Sequence, residues 1–227
     1  MTEHSDAPVV CDHRGCVKPG RERLFTGATQ VTFIRTALAL AVALYAAHER
    51  SLPLLLVALA TYWVGDIADG VLARRTDSET RIGAVLDIAS DRLCAGAIYI
   101  GLAWLDPTMV IPIGIYLFQF AVVDTFLSLA FLAWPLTSPN YFYLVDATIW
   151  RWNWSKLGKA VNSSLFAILL VVTGSVPAAV AVAVCLSAVK VWSLLRLVRL
   201  GMPVPSGCAV TAASAQARRP LEQDVAP

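Results

Sequence analysis

The chain predicts an all-α integral membrane protein with six transmembrane helices and a polar metal site at the cytoplasmic side. Three observations carry that expectation. First, 57% of the 227 residues are hydrophobic and only 15% are charged, with a mean hydropathy of +0.64, whereas a soluble domain carries about 25% charged residues. Second, the apolar residues fall into six runs, each near the ~20 residues that a helix needs to cross a bilayer core. Third, two of those runs contain four aspartates at helical spacings: Asp66, Asp69, Asp87 and Asp91.

The runs follow in order. Residues 1–27 read as a polar cytosolic tail that lacks the apolar core of a signal peptide. Residues 28–200 form the membrane domain, with apolar runs at about 30–48, 53–73, 83–105, 108–134, 158–174 and 177–199. A Trp-, Tyr- and Asn-rich loop separates the fourth from the fifth. Residues 201–227, rich in Gly, Pro, Ala and Gln, read as a disordered tail. Of the five cysteines, Cys94 and Cys185 lie in apolar runs and read as small packing residues. Cys11 and Cys16 flank His13 in the tail, where the spacing matches no standard zinc finger. No disulfide framework is expected.

Basic residues set the orientation. Arg21, Arg23, Arg74, Arg75, Arg81, Arg151, Lys156, Lys159, Arg196 and Arg199 all fall at one side of the six-span layout. The opposite turns, at His48–Pro53, Leu105–Thr108 and Gly174–Pro177, carry few. The positive-inside rule then directs both termini and the aspartates to the cytoplasm. Trp134, Trp150, Trp152 and Trp154 flank the basic loop as an interfacial aromatic belt would.

A charged acid at mid-membrane costs roughly 2.5–3.5 kcal/mol on insertion scales, so such groups are rare and usually functional. Asp66 and Asp69 are three apart and Asp87 and Asp91 four apart, so each pair shares one face of its helix. If the two faces meet, four carboxylates converge. They then require cations, and an all-oxygen ligand set suits Mg²⁺ or Mn²⁺. The expectation is a two-metal site at a membrane surface, suited to phosphate chemistry.

The residues from Asp66-Ile67-Ala68-Asp69-Gly70 through Ala73-Arg74 to Gly83, Asp87 and Asp91 fit D-x2-D-G-x2-A-R-x8-G-x3-D-x3-D at every fixed position. This stretch resembles the signature of the CDP-alcohol phosphatidyltransferase family (class I), integral membrane phospholipid synthases. The family's six-helix layout agrees with the apolar runs over about residues 28–200. The resemblance implies transfer of a phosphatidyl group from CDP-diacylglycerol to an alcohol, with release of CMP. It implies Asp66, Asp69, Asp87 and Asp91 as ligands of two ions, with Asp91 also accepting the proton of the attacking hydroxyl. Gly70 and Ala73 leave room for a nucleotide or a neighbouring helix, Arg74 can fork onto phosphate oxygens, and Gly83 starts the next helix nearby. Thr80 is expected at the cytidine nucleotide.

Upstream, Ala28-Thr29-Gln30-Val31-Thr32-Phe33-Ile34-Arg35 resembles the family's first-helix element, P-N-x-I/V-T-x-x-R. Thr32 and Arg35 match, while Ala28 and Thr29 replace the usual Pro and Asn. Thr29 and Thr32 are candidates to contact the nucleotide, with Thr29 alternatively a helix N-cap. Lys156-Leu157-Gly158-Lys159 resembles the family's basic G-K element, so Lys159 either holds a substrate phosphate or anchors at the interface. Arg196 and Arg199, with Arg151, either snorkel to the interface or line an anionic acceptor pocket. Asp124, five residues after Gln119, reads as structural, paired with Lys190.

The acceptor expected is inositol phosphate or glycerol 3-phosphate. Arg92, directly after Asp91, resembles inositol-type members somewhat more. Cardiolipin synthesis with phosphatidylglycerol is the alternative. A cation-conducting transporter is a competing class, although the paired broken helices that transporters often show are not evident. An inactive scaffold of the same family is another. The expected location is the plasma membrane. Many members of the family form homodimers, and no nucleic-acid partner is expected.

Overall fold

The first five spans each begin where a polar side chain serves the free amides of a helix start. The computed structural model describes residues 22–203; the expectations placed on residues 1–21 and 204–227, including Cys11, His13 and Cys16, lie outside the described residues. Helix α1 (Gly27–His48) is capped by Thr26, whose hydroxyl accepts from the Thr29 amide while Thr29 Oγ1 accepts from the Thr26 amide. That reciprocal pair is a capping box. It corrects the alternative reading of Thr29, which is the third helical residue and not the cap. Helix α2 (Leu52–Arg75) starts at Ser51 with Pro53 in its first turn. Helix α3 (Arg81–Leu105) starts at Thr80, whose Oγ1 accepts from the Gly83 amide at 3.0 Å.

Among the described residues, six helical spans are long and apolar enough to cross a membrane. The fourth, Pro107–Ala133, is irregular. It runs through α4 (Val110–Phe118), a π-helical stretch Gln119–Asp124 and α5 (Thr125–Leu129). The fifth, Ala147–Thr173, is assembled from α6 (Ala147–Asn153), α7 (Lys156–Ala160), a second π-helical stretch Val161–Leu165 and α8 (Phe166–Thr173). Gly174, at φ +58°, ends α8, and α9 (Val176–Leu200) completes the bundle.

Two expectations change here. The stretch expected as a loop between the runs at 108–134 and 158–174 is ordered helical structure: a 3₁₀ segment at Pro139–Leu144 and then α6, with which the fifth span already begins. Helix α6 forms because Asp146 caps it, accepting from the Thr148 and Ile149 amides at 2.8 Å each. In addition, Trp134 and Trp154 are not interfacial anchors. They are buried with Phe131, Phe142, Ile149 and Leu197 in a core that seats α6 against α9. Of the four tryptophans, Trp152 is the exposed one, while Trp150 donates its indole N–H to Asn140 O at 2.8 Å.

Helix α1 packs on α2 and α3 through a stripe of small residues, with Ala39, Ala43 and Ala46 meeting Ala58 and Leu55. Small side chains let membrane helices approach closely, where dispersion and polar contacts replace the hydrophobic drive. A second core joins α3, α4, α8 and α9 around Tyr99, Tyr116 and Phe166; the Tyr116 and Phe166 rings stack at 4.3 Å.

A buried ion triad ties three of the spans. Asp124 receives Arg92 Nη2 of α3 at 2.6 Å and Lys190 Nζ of α9 at 2.5 Å. Arg92 also donates to Thr125 Oγ1 at 2.8 Å and lies over the Phe120 ring. The Asp124–Lys190 pair expected from the sequence is therefore present, with Arg92 as an additional partner. Arg196 donates to Asp146 at 2.9 Å, joining α9 to the start of α6. Arg196 is not among the residues that line the two polar clefts described below, and neither are the exposed Arg151 and Arg199.

Two predictions follow from this packing. A Cβ at Gly158 would meet Arg151 O at 2.8 Å and Trp152 O at 2.9 Å, both backbone atoms. Gly158→Ala should therefore destabilise by about 1–3 kcal/mol, read as a lower thermal midpoint in detergent. Gly114→Ala, with open space around it, should leave the midpoint in place. Asp124→Ala strands two buried cations and should destabilise by about 3–5 kcal/mol, measured by denaturant titration in mixed micelles. Asp124→Asn should lose less.

Candidate active site

Helices α1, α2 and α3 converge at one end of the bundle, where Thr32 and Arg35 of α1 meet the aspartates of α2 and α3. The two i,i+n faces expected from the sequence do face each other. Oxygen atoms of Asp66, Asp69 and Asp87 lie within 4.8 Å of one another. Asp91 joins them through a shared partner, Arg35 of α1. Arg35 Nε donates to Asp69 Oδ2 at 2.7 Å. Its Nη2 donates to Asp87 Oδ1 and, at 3.1 Å, to Asp91 Oδ1, and lies 3.5 Å from Asp66 Oδ1. Thr32 Oγ1 donates to the same Asp69 oxygen at 2.7 Å.

Gly65 on α2 makes this arrangement feasible. A Cβ there would sit 2.5 Å from Arg35 Cβ and 2.7 Å from its Cδ. The bare backbone is thus the channel through which the arginine stem passes between α1 and α2. Arg35 was legible in the sequence only as a match to the first-helix element. The stronger signal was physical: a lone guanidinium inside an apolar run must find acids. Gly65, one residue before Asp66, carried no such signal, because only the crossing of two helices makes its missing side chain matter.

Two polar clefts open on either side of the acids. The first, ≈ 80 Å³, is lined by Thr29, Thr32, Asp69, Gly70, Ala73, Arg74, Thr80, Gly83 and Asp87, with Ser138 and Asn140 across from them. It therefore gathers the residues expected around the nucleotide, Thr29, Thr32, Gly70, Arg74, Thr80 and Gly83. The second, ≈ 180 Å³, is lined by Tyr62, Asp66, Asp87, Asp91, Arg92, Gln119, Asp124, Asn153, Lys159, Asn162 and Lys190. Asp87 belongs to both. Lys159 lies on the second cleft, away from Arg74 and Thr80.

Local structure explains several of these positions. Thr80 is both helix cap and cleft wall, and its hydroxyl reaches Arg23 O at 3.4 Å. A Cβ at Gly83 would meet Thr80 Oγ1 at 2.8 Å, so Gly83 keeps the cap closed. At Gly70 a Cβ would meet the Arg74 guanidinium at 3.2 Å, so the glycine leaves Arg74 room to lie along the cleft. Glu79, also on the first cleft, accepts from the Tyr141 hydroxyl at 2.5 Å, which fastens the α2–α3 turn to the 3₁₀ segment. Asn153 and Gln119 were not singled out as site residues. Both are buried on the second cleft, Asn153 held by a bond to Ser193 Oγ at 2.9 Å. Gln119 Oε1 has no hydrogen-bond partner among the described residues.

The donor set has the chemistry of a divalent-ion site. It is all carboxylate oxygen, with neither histidine nor cysteine in the cluster, which suits hard cations. Four carboxylates share one guanidinium, so three negative charges are left for ions to balance. The residues therefore fit such ions, and Asp66, Asp69 and Asp87 already bring oxygens within 4.8 Å of one another.

A family model described as CDP-alcohol phosphatidyltransferase matches residues 25–189. Among curated proteins, the chain is similar to the phosphatidylinositol phosphate synthase of Mycolicibacterium smegmatis, 44% identical over 48 residues, 21% of this chain and 22% of that protein. The proteins of the same name from Mycobacterium marinum (51% over 39 residues, 17% of each chain) and Mycobacterium tuberculosis (49% over 39 residues, 17% of this chain and 18% of that one) are also similar. The matched stretch thus spans about a fifth of the length of these relatives. No solved structure was found to match. The family match spans five of the six membrane helices and part of the sixth, and includes both aspartate pairs; the chain belongs to the CDP-alcohol phosphatidyltransferase family.

Proposed function

We propose that the chain transfers a phosphatidyl group from CDP-diacylglycerol to a small anionic alcohol at a membrane surface, releasing CMP. The observation that carries this reading is the shared wall between the two clefts. The first cleft presents Thr29, Thr32, Gly70, Arg74, Thr80 and Gly83 for a nucleotide diphosphate. The second presents Asp91, Lys159 and the Arg92–Asp124–Lys190 triad for an acceptor. A reaction that joins two substrates at one phosphorus needs this arrangement: two approaches to one acidic centre.

Asp66, Asp69, Asp87 and Asp91 would hold two Mg²⁺ or Mn²⁺ ions. When bound, these ions screen the diphosphate and make its phosphorus more electrophilic. The chain's own residues do the rest. Arg74 forks onto phosphate oxygens and fixes the donor. Asp91, on the acceptor cleft, takes the proton as the acceptor hydroxyl forms a new P–O bond to the lipid-side phosphorus. The P–O bond to the nucleotide breaks, and CMP leaves through the first cleft. Holding both substrates against one wall converts an encounter of two molecules into a local rearrangement.

An anionic acceptor is supported by charge. In the second cleft, Arg92 and Lys190 share a single carboxylate, Asp124, and Lys159 adds a further cation. The relatives' name favours inositol phosphate over glycerol 3-phosphate, with phosphatidylglycerol third. The basic residues at the helix ends that carry the clefts support a cytoplasm-facing site in the plasma membrane.

The test is a product screen. Purified protein, CDP-diacylglycerol, Mg²⁺ and each candidate alcohol should yield CMP and one phospholipid, identified by mass, with inositol phosphate the best acceptor; no CMP with any alcohol defeats the reading. Asp91→Asn should lower turnover at least ~10²-fold, the usual worth of a positioned base, with an unchanged thermal midpoint. Full activity in that variant would remove Asp91 from the proton-accepting role.

A further inference from the structure

The four carboxylates that would hold divalent ions already share one cation of the chain itself. Arg35 is 3% exposed and carries no water-facing escape for its charge. Its two ends do different work. Nε is committed to Asp69, the most buried acid, whose second partner is Thr32. Nη2 instead bridges Asp87 and Asp91, the pair on α3, and lies near Asp66. Those carboxylates are 39%, 21% and 42% exposed, against 5% for Asp69. The remaining nitrogen, Nη1, is buried with no partner among the described residues. The guanidinium is therefore held firmly at one edge, while its other edge spans the very oxygens that ions approaching from the clefts would need.

We propose that Arg35 is a resident counter-cation, a positioning residue that holds the four acids together while the site is free of ions. On ion binding its Nη2 yields Asp87 and Asp91 while Nε keeps Asp69. This rests on the reading that the aspartates bind divalent ions. The physical reason is like-charge competition. Unit charges a few ångströms apart inside a protein repel strongly, so an ion and Nη2 cannot both keep the same carboxylate oxygens at full strength. Without Arg35, the four anions on α2 and α3 would repel one another whenever no ion is bound. Gly65 sets the device, because a side chain there would collide with the arginine stem where it passes α2.

The experiment measures Mn²⁺ binding by the electron paramagnetic resonance of free Mn²⁺, together with thermal unfolding in EDTA and in saturating Mn²⁺, with no substrate present. Arg35→Met removes the charge and keeps an apolar stem. It should bind Mn²⁺ at least tenfold more tightly than the wild type, unfold earlier in EDTA, and gain more from Mn²⁺. Arg35→Lys keeps a charge there and should stay within about threefold of the wild-type affinity. Gly65→Ala, which displaces the stem without deleting the charge, should move affinity in the same direction as Arg35→Met. Unchanged or weaker Mn²⁺ binding in both Arg35→Met and Gly65→Ala overturns the proposal. So does an Arg35→Met protein that fails to fold even with saturating Mn²⁺, since ions should replace the lost charge. Absence of Mn²⁺ binding in the wild type would instead defeat the metal-site reading itself.

Discussion

Four carboxylates brought together inside a membrane bundle repel one another, and each is expensive to hold away from bulk water. The contact on which the site depends is therefore the one between Arg35 and all four aspartates. It joins the first three spans at the same point. Asp66 and Asp69 come from α2, Asp87 and Asp91 from α3, and the guanidinium from α1. Around it, the small-residue stripe of α1 and the bare backbone at Gly65 bring the helices close enough for one side chain to reach every acid.

The second half of the bundle solves a similar problem with the opposite sign. Asp124 sits between Arg92 and Lys190, so this cluster carries an excess of positive charge where the first carries an excess of negative. The two lie along one cleft, joined by consecutive residues: Asp91 faces the acids and Arg92 faces the triad. A ligand in that cleft meets a cation-seeking wall at one side and an anion-seeking wall at the other. The π-helical stretch at Gln119–Asp124 contributes to this. Residues five apart on a regular α-helix point to different sides, but a π turn is wider and brings them toward one face. Gln119 and Asp124 are accordingly both buried on the cleft.

Much of the site was legible in the sequence because it is local. Spacings of three and four place each aspartate pair on one helical face whatever the rest of the chain does. Gly70, Arg74, Thr80 and Gly83 lie on the same turn or the turn between the two helices, so proximity along the chain placed them at one cleft. Lys159 shows the limit of this reasoning. Its resemblance to a basic G-K element left phosphate holding and interfacial anchoring open and gave it no address; the packing of α7 puts it on the second cleft with Asp91. The tryptophans near residue 150 show another limit. Composition suggests an interfacial belt, but burial of Trp134 and Trp154 depends on how α6 docks on α9, which no local pattern records.

The sequence by itself determined the class of protein, the six spans and the chemical character of the acids, because hydropathy, length and helical periodicity act within a single segment. Tertiary structure alone decided that Arg35 stands among the four aspartates, that Asp87 is common to two clefts, and that Asp124 balances two cations. Each of these joins residues more than thirty positions apart, with the exception of the clefts' shared wall, which depends on how several helices cross. Charge compensation inside a bilayer is a requirement that the chain must meet somewhere; where it is met is set by which helices pack closely enough to let the side chains touch.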